Sequence, residues 1–305
     1  MKRKFKLGVY YSIMLLLTAC KITETKKPLN ILWLVAEDLS PFYLSAYGDS
    51  RAPTPNLDRL AKEGVVYTHN FSVSGVCSPS RATLATGLYP NSFGAQNMRT
   101  LNQAAAAKEI GIIDYQAVPP PEVKMVSEIM RENGYYTTNN PKEDYQFFKS
   151  ELAWDESSVY AHWRNRPNKE TPFFSIFNFS VCHESRMWNF KKHTFDGDEF
   201  PPDRNNKKET LKNENSDVPL LVPKDLEVEV PPYLPQNEIG ENAMRRMYTN
   251  IIRMDKGVGT ILNQLEEDGI LDQTIVVWYS DHGGPLPRQK RLLYDSGLHV
   301  PLIIR

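Results

Sequence analysis

Three runs of this chain are apolar at nearly every position: Asn30 to Ala36 (NILWLVA), Pro172 to Phe179 (PFFSIFNF) and Ile275 to Tyr279 (IVVWY). A strand with one wet face alternates apolar and polar residues, so runs of this kind belong to strands covered on both sides. Each run leads into ionisable residues. Glu37-Asp38 follows the first, Cys182-His183-Glu184 the second, and Ser280-Asp281-His282-Gly283-Gly284 the third. Helical spacing fills the intervals. Leu57, Leu60 and Ala61 lead to a stop at Gly64, and Val123, Val126, Ile129 and Met130 make an amphipathic helix closed by Gly134. From Glu241 to Glu267, Ala243, Met247, Ile251, Met254, Val258, Ile261, Leu262 and Leu265 share one face, with Gly269 as terminator. Short β-prone pieces occur at Val65 to Tyr67, at Tyr135 to Thr138 and at the end of the chain. This alternation predicts an α/β fold: a mostly parallel, mixed sheet covered by helices on both faces. Open sheets of that kind place ligands beyond the carboxyl ends of their strands.

At 305 residues the chain can bury a large core, and its 36 basic and 37 acidic residues leave a formal charge of −1. No basic field recommends nucleic acid as a partner. Three cysteines exclude a disulfide scaffold. Lys2, Arg3, Lys4 and Lys6 precede an apolar run from Leu7 to Ala19, too short to span a bilayer and suited to a signal peptide. Leu17-Thr18-Ala19-Cys20 is similar to a bacterial lipobox. Residues 1–19 are therefore expected to be a lipoprotein signal peptide, with Cys20 carrying lipid, 20–29 a tether and 30–305 the catalytic domain. The expected location is exported, anchored at a bacterial membrane through the lipid alone. Residues 185–239 are charged, proline-containing and irregular, as in a functional surface insertion. The last residues, His299 to Arg305, stop inside an apolar strand pattern, which suggests a partial sequence.

The stretch from Gly75 to Gly87 sets a cysteine in a tight polar turn and then enters a helix, with Pro79 suited to the first helical position and Gly87 to the end. Unpaired N–H groups there, with Arg81 one turn on, make an anion site. Taken alone, Cys77 reads equally as a buried cysteine before an ordinary helix. Its setting changes that. Parallel strands bring Glu37, Asp38, Asp281 and His282 to one cleft, and three carboxylates with an imidazole can hold a divalent cation. Oxygen-rich ligation favours Ca²⁺ or Mg²⁺ over zinc. Arg81, Lys142, His183 and Lys290 add positive charge and protons, a combination suited to a tetrahedral sulfate or phosphate ester.

Cys77-Ser-Pro-Ser-Arg81 followed by Ala-Thr-Leu-Ala-Thr-Gly87 resembles the signature of the type I sulfatases, within the alkaline-phosphatase-like superfamily. The likeness extends to the run ending at Glu37-Asp38, to Ser280-Asp281-His282-Gly283 with Lys290, and to Val300 to Arg305. It implies that Cys77 is oxidised to formylglycine by a formylglycine-generating maturation enzyme. It also implies that Glu37, Asp38, Cys77, Asp281 and His282 surround the metal, with Ca²⁺ favoured over Mg²⁺. Cys77, Arg81, Lys142, His183 and Lys290 would be catalytic, and Lys142, His183, Arg186 and Lys290 would touch substrate, a sulfated carbohydrate such as a glycosaminoglycan. A hydrated aldehyde has one hydroxyl to attack sulfur and a second whose collapse expels sulfate, which serine lacks. The resemblance also implies that the part expected beyond this apparently truncated sequence would be the family's smaller antiparallel C-terminal subdomain.

The chain departs from the family at three places. Glu37-Asp38 replaces a usual pair of aspartates, His282 stands where asparagine is frequent, and Lys142-Glu143-Asp144 replaces Lys-x-His. The elimination step then falls to Asp144 or to another group. The Asn139-Asn140-Pro-Lys142-Glu-Asp144-Tyr145 pattern and His183-Glu184-Ser185-Arg186 are similar to the heparan N-sulfatase-like branch. Rival readings are a phosphoester or phosphonate hydrolase of the same superfamily, and a non-catalytic lipoprotein that binds sulfated glycans with Cys77 unoxidised. A Cys182–His183 nucleophile pair is a poor rival, because neighbours on an extended segment point to opposite sides. Trp154, Trp163 and Trp188, with Tyr160, either stack on sugar rings or pack internally.

Overall fold

The computed structural model describes residues 27–98, 105–188 and 219–305. The expected signal peptide, Cys20 and part of the irregular stretch (189–218) lie outside the described residues. Seven strands form one sheet: β1 (Asn30–Ala36), β2 (Val65–Tyr67), β3 (Tyr136–Asn140), β4 (Glu156–Ser157), β5 (Phe173–Phe179), β6 (Thr274–Ser280) and β7 (Leu302–Ile304), in the order β2-β7-β6-β1-β5-β3-β4. β6, β1, β5, β3 and β4 are mutually parallel, and β7 and β2 add an antiparallel edge. The mixed sheet expected from the sequence is therefore present, with the continuous apolar runs as its three central strands.

The helices that flank it are α1 (Pro55–Glu63), α2 (Cys77–Thr86), α3 (Val126–Glu132) and the long α4 (Glu238–Glu267). Pleating splits β1 between two cores. Leu32, Leu34 and Ala36 join Leu57 and Leu60 of α1 and Met254, Ile261 and Leu265 of α4. Val35, with Ile31 and Trp33, joins Ala82 and Ala85 of α2 and Met130 of α3 on the other face. Each wholly buried Ile, Leu or Met of α4 contributes about 1.5–3 kcal/mol of transfer free energy. Among the described residues no helix is long and apolar enough to cross a membrane.

Several boundaries differ from the sequence reading. Cys77 is itself the first residue of α2, with Val76 extended before it, so Pro79 sits within the first turn and not at its first position. Proline is tolerated there because the N–H groups of that turn have no helical partner. Gly87 ends α2 as expected, in the left-handed region at φ 71°, donating to the Thr83 carbonyl. Val123 precedes α3 in a turn, and α4 starts at Glu238, where Asn237 accepts from the Ile239 and Gly240 N–H groups.

Register decides where the chemistry falls. Ala36 lies opposite both Phe179 and Ser280, so β1, β5 and β6 end level with one another. The Glu37 N–H donates to the Phe179 carbonyl (3.3 Å) and the Asp281 N–H to the Ala36 carbonyl (3.2 Å).

Two of the tryptophans considered for sugar stacking belong to the cores. Trp163 is wholly buried, stacks on Phe173 at 5.5 Å and donates its Nε1–H to Asp268 (2.8 Å). Trp154 is buried against Phe174. Tyr160 is half-buried, and the Trp188 side chain lies outside the described residues. Beside Trp163, His162 accepts the Arg164 N–H on Nδ1 (3.0 Å) and meets Gln264 Oε1 with Nε2 (2.9 Å), which fixes a neutral imidazole. Burial pushes this group down to about 4. The unfolded chain, with its histidine near 6.5, takes up the proton first as pH falls, so the stability is complete above about 6.5 and lost between there and about 4. The loss is on the order of 1–3 kcal/mol. Urea midpoints at about pH 7.5 and about pH 5 are expected to differ, and less so in His162→Gln; the same pH dependence in both proteins would contradict this assignment.

Candidate active site

The level strand ends deliver Glu37 and Asp38 from β1, Asp281 and His282 from β6, and His183 three residues past the short turn after β5 begins. Asp38 takes a left-handed backbone, φ 55°, a costly conformation for a residue with a side chain. That bend is held by its N–H to Asp281 Oδ1 (3.2 Å), by the Glu184 N–H to its Oδ2 (2.8 Å), and by Lys290, whose Nζ lies 2.8 and 2.7 Å from the two oxygens. Cys77 Sγ, at the start of α2, is 3.2 Å from His282 Nε2, 3.4 Å from Lys290 Nζ, 3.6 Å from Glu37 Oε1 and 4.0 Å from Asp38 Oδ1. Lys142 pairs with Glu37 and lies 3.3 Å from Asp144 Oδ2. His183 Nε2 is 3.9 Å from Glu37 Oε1. Nine of the residues singled out from the sequence thus meet around one sulfur: Glu37, Asp38, Cys77, Arg81, Lys142, His183, Asp281, His282 and Lys290.

Arg81 is locked from two sides. Its Nε donates to Asp281 Oδ2 (2.9 Å) and its Nη1 to Asn178 Oδ1 (2.6 Å), while Nη2 is buried with no hydrogen-bond partner. A buried guanidinium N–H without a partner is a donor reserved for something else, and an anionic oxygen fits it. Asn178 in turn donates to Asn139 Oδ1 (3.1 Å) and to the Asn140 carbonyl (3.0 Å), tying α2 to β5 and β3. Gly283 closes the opposite wall: a Cβ there would fall 2.1 Å from the Ser296 carbonyl, so the turn after His282 requires glycine.

Electrostatics follow from this enclosure. Burial would raise Asp38, but His282 and Lys290 outweigh it and hold the carboxyl well below the usual carboxylate range. For Asp281, burial is likewise outweighed, by His282 and Arg81. Burial also works against Lys290, and the Asp38 carboxylate, by its charge and its hydrogen bonds, overcomes it, so the ammonium is held above its ordinary value. The Cys77 thiol is pushed up to about 12 by burial and by Asp281 and Asp38. It is a protonated thiol, and a poor nucleophile. Burial pushes Lys142 down to about 8 and His183 down to about 4.

The donor set suits a divalent cation. His282 Nδ1 donates to the Gly283 carbonyl (2.9 Å), which turns Nε2 toward Asp38 Oδ1, 3.0 Å away. At that distance the imidazole nitrogen and the carboxylate oxygen hold either a proton or a cation between them. Ligand atoms of Glu37, Asp38, Cys77 and His183, and of Cys77, Asp281 and His282, lie within 4.8 Å of one another in two overlapping groups. Mostly oxygen donors favour a hard ion. Asp281, Glu37 and Asp38 are paired in turn with Arg81, Lys142 and Lys290, so a bound cation adds positive charge beside the sulfur, the sign an anionic ester requires.

Some residues fall outside this core, and some within it were not foreseen. Arg186 lies on the helical turn Ser185–Trp188, half-buried, with its N–H on the His183 carbonyl (2.8 Å). Cys182 is buried in apolar packing, which removes it as a nucleophile. Asp144, in the left-handed region at φ 58°, accepts from Ser78 Oγ (3.1 Å), so the residue replacing the family's histidine is part of the cleft. Asn178 was missed, although a lone amide near the end of an apolar strand is a legible signal. Glu184 was noted only as part of a motif.

Comparison with known proteins agrees with the fold and shows the family. The family model for Sulfatase matches residues 29–305, and the chain belongs to that family. An ulvan-active sulfatase of Formosa agariphila is 48% identical over 300 residues, covering 93% of this chain and 49% of that protein. Human N-sulphoglucosamine sulphohydrolase is 27% identical over 315 residues, covering 96% of this chain and 57% of its own length. The chain thus spans about half the length of these curated relatives. A solved structure holding its substrate, D-glucosamine-2-N,6-O-disulfate, superposes with a TM-score of 0.60 at 19% identity, over 92% of this chain and 71% of that one. The fold is the alkaline-phosphatase-like one.

Asn178→Ala leaves Arg81 Nη1 and Asn139 Oδ1 buried without this partner. The expected cost is about 1–3 kcal/mol, read as a lower urea midpoint at unchanged slope. An unchanged midpoint would show that the amide chain does not hold the cleft.

Proposed function

We propose that the chain is the catalytic part of a sulfuric ester hydrolase that removes sulfate from a sulfated glycan, with Cys77 matured to formylglycine and Ca²⁺ held by Glu37, Asp38, Asp281 and His282. The observation that carries this reading is the surroundings of Cys77 Sγ: an acid-and-imidazole cradle on one side, Lys290 within 3.4 Å, and a thiol kept protonated. A cysteine enclosed in this way is better suited to be the precursor of the nucleophile than the nucleophile itself. The relatives named for ulvan and for N-sulphoglucosamine favour a polyanionic sugar as substrate.

When present, the hydrated aldehyde supplies two geminal hydroxyls, one for attack on sulfur and one for release, and the cation supplies Lewis-acid stabilisation. The chain's own residues do the rest. Arg81, held by Asp281 and Asn178, keeps one N–H for an oxygen of the sulfate group without reorganising. Lys290, 3.4 Å from Cys77 Sγ, and Lys142, paired with Glu37 beside it, neutralise charge as the ester S–O bond breaks. His183 accepts the Ser185 N–H on Nδ1 (3.2 Å), so its proton sits on Nε2, facing the cleft and placed to meet the leaving alcohol.

Three outcomes test the reading. The mature protein is expected to hydrolyse an aryl sulfate much faster than the matching aryl phosphate, and a clear phosphate preference would replace this proposal with a phosphoesterase. His183→Ala or Lys290→Ala is expected to lower kcat/KM on a poor leaving group by about 10²–10⁴-fold, and near-parental rates would remove that residue from proton transfer. Prolonged chelation is expected to abolish turnover, with Ca²⁺ restoring it better than Mg²⁺; full activity after chelation would contradict a metal requirement.

A further inference from the structure

The loop that carries Lys290 inward also turns two arginines outward. Arg288 and Arg291 both adopt left-handed backbone, φ 61° and 71°, and both are exposed, whereas Lys290 between them is buried. The Arg288 guanidinium carbon lies over the rings of Tyr233 and Tyr294, 5.3 Å from each centre. The Arg291 N–H donates to the Gly75 carbonyl, two residues before Cys77, so this part of the loop is pinned to the lip of the cleft. Its guanidinium forms a fork on Glu184, Nη1 to Oε2 at 2.7 Å and Nη2 to Oε1 at 2.5 Å. Glu184 itself is fixed by its backbone N–H to Asp38 and lies 3.7 Å from Lys290 Nζ.

We propose that Arg291 is the recognition group for an anionic substituent, a carboxylate or a second sulfate, on the sugar next to the one that loses its sulfate. The inference rests on the sulfatase reading and adds a subsite to it. Three observations converge. The Arg291 side chain is 58% exposed while the cations nearer Cys77, Lys290 and Lys142, are 2% and 20% exposed, so Arg291 stands at the rim, outside the cations that serve the reacting group. Its present partner is a carboxylate held in a bidentate fork, the geometry that a uronate or a sulfate reproduces. A substrate anion taking Glu184's place in the fork exchanges one oxyanion for another, so the Arg291 contacts are conserved, and the released Glu184 remains beside Lys290. Lysine would supply the charge without the fork.

The test uses the mature full chain and three sulfated disaccharides: one with a uronate beside the sulfated sugar, the same compound as its neutral methyl ester, and one with a second sulfate in place of the carboxylate. Affinity is measured by calorimetry on Cys77→Ala protein, which does not depend on turnover, and kcat/KM on active protein is measured relative to an aryl sulfate. Parental protein is expected to prefer an anionic neighbour over the neutral ester by about 10-fold or more, and Arg291→Ala and Arg291→Lys are both expected to lose most of that preference. Loss on the uronate alone identifies a carboxylate subsite, and loss on the disulfated compound alone identifies a sulfate subsite. Equal preference in parental and Arg291→Ala protein overturns the proposal. If no compound is hydrolysed yet Arg291-dependent affinity persists, the failure lies in the catalytic reading and the subsite stands.

Discussion

The buried pair between Arg81 and Asp281 joins the helix that begins at residue 77 to the strand that ends at Ser280, and the rest of the cleft depends on that junction. Both groups are almost wholly enclosed, so neither charge has water to fall back on. Removing one partner of such a pair costs roughly 3–5 kcal/mol, far more than the pair itself is worth over an apolar substitute. The expense is understandable only as positioning. Asp281 spends one oxygen on Arg81 and the other on the backbone N–H groups of Asp38 and His282. One carboxylate therefore orients the arginine, the strained Asp38 and the histidine together.

Most of this was legible because strand-end chemistry is local in sequence and the sheet is regular. Unbroken apolar runs at β1, β5 and β6 announce strands buried on both faces, and parallel pairing with level ends turns three separate polar clusters into one site. The helix at Cys77 was likewise readable, from Pro79 at one end and Gly87 at the other, although proline marks a turn of the helix and not its first residue. The illegible parts are tertiary. Nothing near Asn178 in sequence reveals that Arg81 will reach it across the sheet. Trp163 gave no sign of choosing the core, because an irregular segment can bury an indole whenever a partner such as Asp268 satisfies its N–H. Arg291 was passed over because a Lys-Arg pair reads as surface charge until the backbone turns one residue in and the other out.

The departures from the family pattern gain physical content in the same way. Glu37 and His282 both reach the sulfur, so a longer acid and a nitrogen donor are compatible with the cradle. Asp144 is held by Ser78, the neighbour of Cys77, and stands beside Lys142. The carboxylate thus stands in the cleft at the place where the resemblance to the family would put a histidine. The cleft keeps its logic while changing its parts.

Everything in this account turns on residue 77 being an aldehyde precursor held in a charged cage. The most direct measurement is mass spectrometry of the peptide containing residue 77, from protein produced together with a formylglycine-generating enzyme, set against aryl sulfate turnover of the same samples. Activity is predicted to rise in proportion to the aldehyde fraction and to vanish as that fraction goes to zero. Equal turnover from protein whose residue 77 is an intact thiol would contradict it.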